Sequence, residues 1–205
     1  MSIVEEDPAE RSLNMEISYV FKNNYSLMKK ILLIAVGIAV AFLTQAQKFT
    51  SDKTYVKFFS DASIEDITAE NTKSSSIFNE ATGDVVFSIP IKEFEFDKSL
   101  MKEHFNEKYM ETEQFPKSTF QGKISGYQPS GTGEQKATAI GKMTIHGVTQ
   151  DVQIPGTMTN ANGVLTMKAK FMVKLVDYKI KIPQLLWTNI AEEVEVTVEF
   201  NYKPL

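Results

Sequence analysis

Cysteine is absent from the 205-residue sequence. Its absence excludes disulfide bonds, thiol nucleophiles, thiolate metal sites and a bacterial lipoprotein anchor, since each of these needs a cysteine sulfur. Histidine is scarce as well, because the chain has only His104 and His146, which match no metal-ligand spacing. We therefore expect no metal site and no cofactor, and a fold that is stabilised by packing alone.

A surplus of basic residues is also missing. The sequence has 22 Lys and Arg against 26 Asp and Glu, which gives a formal net charge of −4. A nucleic-acid-binding protein should present a basic face, so we expect no nucleic-acid partner. Hydrophobic residues form 42% and charged residues 23% of the chain, a composition typical of a globular protein.

Motifs that carry catalytic chemistry are absent too. The sequence contains no G-x-S-x-G, no glycine-rich phosphate loop and no Ser/His/Asp set that its spacing singles out. The adjacent acidic residues Glu65 and Asp66 lie between two isoleucines in a short run, where a solvated edge or turn explains them. We predict that the protein is not an enzyme.

No apolar run is long enough to span a membrane comfortably. The run Ile31–Leu43 has thirteen residues, whereas a transmembrane helix needs about 20. Two lysines precede the run and the small residue Ala46 ends the segment, which is the pattern of a secretory signal peptide over 28–46. We predict cleavage after Ala46 and a mature protein, Gln47–Leu205, that is periplasmic or secreted without a permanent anchor. A retained membrane helix is the alternative.

Residues 1–27 have the wrong charge for a segment that precedes a signal core, which is normally positive. They carry five acidic residues against one arginine and one lysine. We interpret them as an upstream extension produced by a start codon assigned too early, with Met28 as the initiator. A functional acidic extension is the alternative.

Alternation of apolar and polar residues dominates the mature chain and predicts half-buried antiparallel strands. The clearest runs lie at 165–173 and 194–202, and others follow Gly83, Ser118 and the start of the mature chain. In "GKMTIHGVTQDVQIP" two alternating runs flank His146 and Gly147, which predicts a tight hairpin. About eight such strands close into a barrel or pack as a sandwich, and the pattern leaves both open.

One segment breaks the alternation. From Asp97 to Met110 apolar residues recur at helical spacing, and neither proline nor glycine interrupts the run. Asp97 is a suitable N-cap residue. We predict one amphipathic helix over Asp97–Met110, with His104 on or beside its packed stripe.

Two segments resemble the YceI family: "LMKEHFNEKYMETEQFPKSTFQGKI" and "GKMTIHGVTQDVQIPG". The matching positions are Phe115-Pro116, Thr119-Phe120 and Gly141–Thr149. The resemblance implies an all-β fold, an eight-stranded antiparallel lipocalin-like barrel with an amphipathic helix near one end, over domain 47–205. It also implies a periplasmic protein whose barrel holds a polyisoprenoid, such as a polyprenyl or quinone tail. The histidines with which the family commonly opens are absent from Phe49–Asn71.

The function that the resemblance implies is non-enzymatic binding, carriage or sequestration of a long apolar isoprenoid lipid. The alternative is a dry barrel that serves as a structural or protein-interaction module of the cell envelope. If the barrel is a tunnel, we expect its lining on the inner faces of the strands and in the final loop: Phe87, Ile89, Phe120, Ile124, Met143, Leu165, Met167, Ala169, Phe171, Val196, Val198, Phe200 and Trp187.

Small residues on the same faces leave room for a ligand, although tightly curved strands use them too. They are Gly122, Gly126, Ala137, Ala139 and Ala169.

Two further features have a structural and a functional interpretation. His146 at the hairpin tip is expected to face solvent or bond to backbone. The segment Tyr178–Trp187 begins with alternating residues and ends in "PQLLW". It is either a plug folded over one end of the barrel or a lid beside the exit of the ligand.

Overall fold

The computed structural model describes residues 28–29, 47–61, 66–161, 163–182 and 191–205. The chain divides into two units, Met1–Gln45 and Ala46–Leu205, and of the first only Met28 and Lys29 are described. The predicted upstream extension, the apolar run of the predicted signal peptide and its cleavage site therefore lie outside the described residues. Within the described ranges, no helix is both long and apolar enough to cross a membrane.

Over the described residues, ten antiparallel strands form one sheet that closes on itself. They are β1 (Lys48–Ser60), β2 (Ile67–Asn71), β3 (Ser75–Asn79), β4 (Asp84–Pro90), β5 (Glu95–Phe96), β6 (Lys117–Ser125), β7 (Glu134–Ile145), β8 (Val148–Ala161), β9 (Val164–Lys174) and β10 (Glu193–Pro204). Eight of them run in the order β10-β9-β8-β7-β6-β4-β3-β1, and β1 pairs again with β10. The predicted eight-stranded barrel is confirmed, and the sandwich is wrong.

The remaining two strands are explained by the length of β1. One edge of β1 pairs with β10, whereas the other pairs with β3 at Lys48–Thr50 and with β2 at Val56–Ser60. The short strand β5 extends the sheet beyond β2. The fully buried Asn71 ties this layer to the barrel, since its amide donates to the carbonyl of Pro90 at 2.8 Å.

Alternation separates an apolar inside from a charged outside, as predicted. On β9 and β10 the inward residues meet across the ladder, where Phe171 opposes Val196 and Ala169 opposes Val198. On the outer face Lys168, Lys170 and Lys174 each pair with a glutamate of β10. Such exposed pairs contribute about 0–1 kcal/mol each, so the inner face decides stability.

The β7–β8 hairpin turns at the residues predicted. His146 and Gly147 have φ values of 49° and 72°, and two successive positive values define the type I′ turn that matches strand twist. Gly147 is also required by packing, because a Cβ there would lie 2.4 Å from Cε1 of Phe115. The next turn includes Gly163 with φ of 79°, while Asn162 lies outside the described residues.

The predicted helix is present but shorter and of two kinds. An α-helix, α1, covers Ser99–His104, and a π-helical turn follows over Phe105–Tyr109. Asp97 is not its N-cap: Lys98 takes that position in an extended conformation and provides no side-chain cap bond. The reason is that β5 pairs with β2 just upstream and keeps the backbone extended.

The two ends of the barrel are filled differently. One end, which we call the aromatic end, is packed by Phe49, Phe78, Tyr127, Leu165 and Tyr202. The ring of Phe78 lies 6.3–6.5 Å from those of Phe49, Tyr127 and Tyr202. The hydroxyl of Tyr202 lies 2.6 Å from that of Ser76. Burial raises the pKa of Tyr202, as expected for a phenol kept from water.

The opposite end, the helix end, is covered by α1 and by the 3₁₀ turn Leu175–Tyr178. Four phenylalanines anchor the helical segment, with Phe58, Phe94 and Phe96 each 5.0–5.7 Å from the ring of Phe105. Ring pairs at such distances contribute about 0.5–1.5 kcal/mol beyond the burial of their surface. This cluster fixes the helical segment over the barrel.

Candidate ligand-binding cavity

The interior of the barrel is hollow on the side of the helix end. A cavity of about 430 Å³ lies there, within the range of about 300–1,000 Å³ typical of small-molecule sites. Its wall is built from the inward side chains of the barrel strands, and its cover from Met101, Phe105 and Ile180. The core residues Phe49, Phe78 and Tyr202 at the aromatic end are not part of its wall.

A belt of small residues makes the space. Ala137, Gly156 and Ala169 oppose one another on β7, β8 and β9, and Val198 of β10 continues the row. A Cβ on Gly156 would lie 2.3 Å from the carbonyl oxygen of Lys168 and 3.1 Å from Cβ of Ala169. The belt therefore leaves bare backbone in the wall, where larger side chains would fill the barrel.

The structure brings most of the predicted lining residues together. The cavity is lined by Phe87, Ile89, Phe120, Ile124, Met143, Met167, Ala169, Phe171, Val196, Val198 and Phe200. Leu165 is an exception, because it is fully buried at the aromatic end and does not reach the cavity. Its inward direction was predicted, but its height in the barrel was not. Trp187, with the second half of the predicted plug or lid (183–187), lies outside the described residues.

Two of the predicted small residues have another role. Gly122 faces Gly141 so closely that a Cβ on it would lie 2.3 Å from the carbonyl oxygen of Ile140. Gly126 adopts a φ of 88° and ends the ladder of β6. Gly122 permits the close approach of β6 to β7, and Gly126 permits a left-handed backbone conformation after β6. Neither lines the cavity, whereas Ala137, Ala139 and Ala169 do.

The phenylalanine cluster at the helix end was not among the predicted lining residues. Phe58, Phe94, Phe96 and Phe105 all line the cavity, yet only Phe105 was part of a predicted helical stripe. The closely spaced pair in "EFEF" was the available signal. Ile180, which alternation placed in a strand, lies after the 3₁₀ turn and lines the cavity as a loop residue.

Most of the polar side chains of the wall are grouped at the helix end. Four of them lie there: Ser60 at the end of β1, Ser118 at the start of β6, and His104 and Tyr109 on the helical segment. The other polar residues that line the cavity are Thr119, Thr157 and Lys168 on the strands. The hydroxyl of Ser60 accepts a hydrogen bond from the backbone N–H of Ala191 at 3.1 Å. Burial raises the pKa of Tyr109, so its phenol is neutral in ordinary buffers and can donate a hydrogen bond.

His146 is held at the helix end rather than exposed at a hairpin tip. Its Nε2 lies 2.8 Å from a carboxylate oxygen of Glu111, and its Nδ1 lies 3.3 Å from the carbonyl oxygen of Tyr178. The ring of Phe115 packs on it at 4.5 Å. The expected backbone bond is present and the expected solvent exposure is wrong, because three segments converge on the turn.

The arrangement offers apolar surface and a few hydrogen-bonding groups. Among the described residues, no group of three or more His, Asp or Glu side chains is placed to hold a metal ion. The carboxylate of Glu111 beside His146 lies under the β7–β8 turn, and neither residue lines the cavity. The chemistry that the wall supports is the removal of an apolar molecule from water.

Comparisons with known proteins agree with this geometry. Among solved structures, the chain is similar to a polyisoprenoid binding domain from Saccharophagus degradans implicated in plant cell wall breakdown (13% identity, TM-score 0.67, covering 77% of this chain and 98% of that one). It is also similar to BcnA from Burkholderia cenocepacia (19%, 0.62, 72% and 95%). At these identities the likeness establishes the fold alone.

A third structure is the YCEI protein of Campylobacter jejuni, at 15% identity and a TM-score of 0.51, with 67% of this chain and 85% of that one covered. No match to the chain was found among curated proteins. The sequence model of the YceI-like domain matches residues 39–202, which is most of the chain. This protein therefore belongs to the YceI-like family.

Proposed function

We propose that the protein binds a long apolar isoprenoid lipid in the barrel cavity, and that it carries or sequesters this lipid without transforming it. The observation that carries the proposal is the apolar cavity of about 430 Å³ inside a closed barrel. Eight strands give an interior just wide enough to be filled by side chains or to hold one slender ligand. The belt of Ala137, Gly156 and Ala169 favours the second outcome.

The energetics of such a complex are favourable. Burying on the order of 400 Å² of apolar surface at about 25 cal/mol per Å² contributes roughly 10 kcal/mol before the costs of association. A cavity wall of aliphatic and aromatic side chains suits a flexible apolar chain. A polyprenyl or quinone tail is such a chain.

The comparisons support the same ligand class. The similar structure from Saccharophagus degradans is described as a polyisoprenoid binding domain, and this chain, a member of the YceI-like family, shares its fold. The cavity wall of this chain is chemically suited to such a ligand. The alternative, a dry barrel that acts as a structural or interaction module, requires a filled interior, and the cavity argues against it.

Native mass spectrometry of the protein purified gently from its own host, followed by solvent extraction, tests the proposal. We expect a complex that is heavier than the polypeptide and an extract that contains an isoprenoid lipid. A mass equal to that of the polypeptide, together with no extractable lipid and no melting shift with added polyprenols, would support the dry barrel instead.

We further propose that the protein acts in the periplasm or outside the cell, after removal of a signal peptide near Ala46. The support is the short apolar run 31–43 between two lysines and a small residue. N-terminal sequencing of the protein from its host should begin at Gln47, and the protein should fractionate with soluble periplasmic proteins. An intact Met28 or Met1 in the membrane fraction would overturn both statements.

A further inference from the structure

We infer that the helix end of the cavity is a subsite for an uncharged, hydrogen-bonding head group, formed by His104, Tyr109 and Ser118. This inference rests on the proposed function and goes beyond it, because it separates two classes of isoprenoid. Prenyl alcohols and isoprenoid quinones have neutral oxygen-bearing heads, whereas prenyl phosphates have anionic ones.

The π-helical turn brings two of these side chains to the same face. In a π-helix the backbone bonds join residues five apart, and here the N–H of Met110 donates to the carbonyl of Phe105 at 2.9 Å. His104 and Tyr109 are also five apart, and both line the cavity. In a continuous α-helix residues at that spacing diverge, so the turn has a direct consequence for the site.

The two side chains have unused hydrogen-bonding capacity. Within the described part of the chain, neither the ring nitrogens of His104 nor the hydroxyl of Tyr109 has a hydrogen-bond partner. Ser118 on β6 adds a hydroxyl to the lining of the cavity. Half-buried polar groups beside an apolar space lose hydration unless a ligand compensates them, and the oxygen of a head group supplies that compensation.

Charge excludes an anionic head from this subsite. Lys168 is the only lysine or arginine that lines the cavity among the described residues. Lys168 lines the cavity next to Gly156, which has no side chain to cover the backbone. Its Nζ atom lies 3.1 Å from Oε2 of Glu199 on the outer face of the sheet. Across 97–111, three lysines are offset by four carboxylates. Phosphate recognition normally uses lysine or arginine donors, and transfer of an unpaired phosphate into this wall is costly.

Three ligands with comparable isoprenoid tails test the inference: squalene, which has no head group, a polyprenol, and the monophosphate of the same polyprenol. Their affinities are measured by displacement of an apolar fluorescent dye from the full-length protein. We expect the polyprenol to bind at least about tenfold more tightly than its phosphate. Failure of all three to bind would overturn the proposed function, whereas equal or tighter binding of the phosphate would overturn only this inference.

Two substitutions locate the subsite. His104→Leu and Tyr109→Phe should each weaken polyprenol binding about three- to tenfold, while squalene binding stays within about twofold of the parent, because only the alcohol uses the polar groups. Squalene binding also reports whether each variant is folded. The matched control is Lys108→Leu on the exposed part of the same turn, which should change neither affinity.

Polyprenol affinities of His104→Leu and Tyr109→Phe that equal those of the parent would overturn the assignment. A loss that affects squalene and polyprenol equally would overturn it as well, since it would assign these side chains to packing of the cavity and not to a head group.

Discussion

The aromatic end and the helix end of the barrel share the same strands but have opposite contents. At the aromatic end Phe78, Leu165 and Tyr202 fill the interior to less than 2% exposure. Further along the barrel β7, β8 and β9 carry Ala137, Gly156 and Ala169 at one height, and the cavity extends from there towards the helix end. The comparison shows that the cavity lies where the inward side chains are too small to fill the barrel. The heights of these small residues along the barrel axis determine where it lies.

The division also separates stability from binding. Core packing at the aromatic end holds the strands in register. It leaves no accessible surface that a ligand in the barrel could contact. At the helix end the interior is less densely packed, and the phenylalanine cluster around Phe105 stabilises that end. Substitutions at the aromatic end should therefore lower the melting temperature, whereas substitutions around the cavity should change ligand affinity.

The largest effect on stability is expected at the aromatic end, from Leu165→Ala. Removing a fully buried leucine destabilises a protein by about 2–5 kcal/mol, which lowers Tm by roughly 10 °C in a chain of this size. Thermal unfolding measures the loss, and lipid affinity should stay within about twofold. Val164→Ala, on the half-exposed neighbour, is the control, with an expected change below about 0.5 kcal/mol. A Leu165→Ala variant that loses binding without losing stability would reverse the roles of the two ends.

The largest effect on binding is expected from Ala169→Phe in the small-residue belt. The added ring would occupy the space that the belt leaves for a ligand and should reduce isoprenoid affinity about 100-fold, or about 2.7 kcal/mol. Overpacking costs roughly 1–3 kcal/mol, so Tm is measured on the same sample. Met172→Phe places a ring on the outer face of the same strand and should leave affinity unchanged. If Ala169→Phe stays folded and binds as the parent does, the belt does not line the ligand path.

A smaller effect, with a pH signature, is expected from Tyr202→Phe. Loss of the contact with Ser76 should cost about 1 kcal/mol at neutral pH. The folded-state pKa of Tyr202 is raised by burial, so the unfolded chain releases this proton first, near pH 10. The contribution of Tyr202 to the stability of the parent is therefore fully present below pH 10, and it should fall above pH 10 by up to about 1.4 kcal/mol per pH unit. Denaturant titrations should show a shallower fall for the variant, and identical slopes would contradict the assignment.

The smallest effect is expected on the outer face, from Lys170→Ala. This lysine pairs with Glu195 at 2.8 Å on an exposed surface, where a pair contributes about 0.2–1 kcal/mol. Unfolding should change by no more than that amount, less at high salt, and lipid affinity should not change. A marked loss of binding would mean that the outer face of β9, not the inner one, contacts the ligand.

Much of the fold could be predicted because the alternation of apolar and polar residues along a strand indicates which face of the strand is buried. The runs at 165–173 and 194–202 have the predicted faces, and the turn at His146-Gly147 follows from residues that accept positive φ. The helix boundaries could not be predicted from Asp97, because the pairing of β5 with β2 overrides a local capping preference. The burial of His146 likewise depends on Glu111 and Tyr178, which are distant in sequence.

Most of the strands, their inward residues and the resemblance to the family can be read from the amino-acid pattern. The tertiary structure is needed to show which inward residues lie at the same height in the barrel. Leu165 and Ala169 lie on the same face of β9, yet one packs against the aromatic end and the other opens a cavity. The physical reason is that periodicity records direction along one strand, whereas the space at a given height is set by the side chains that register brings together from neighbouring strands.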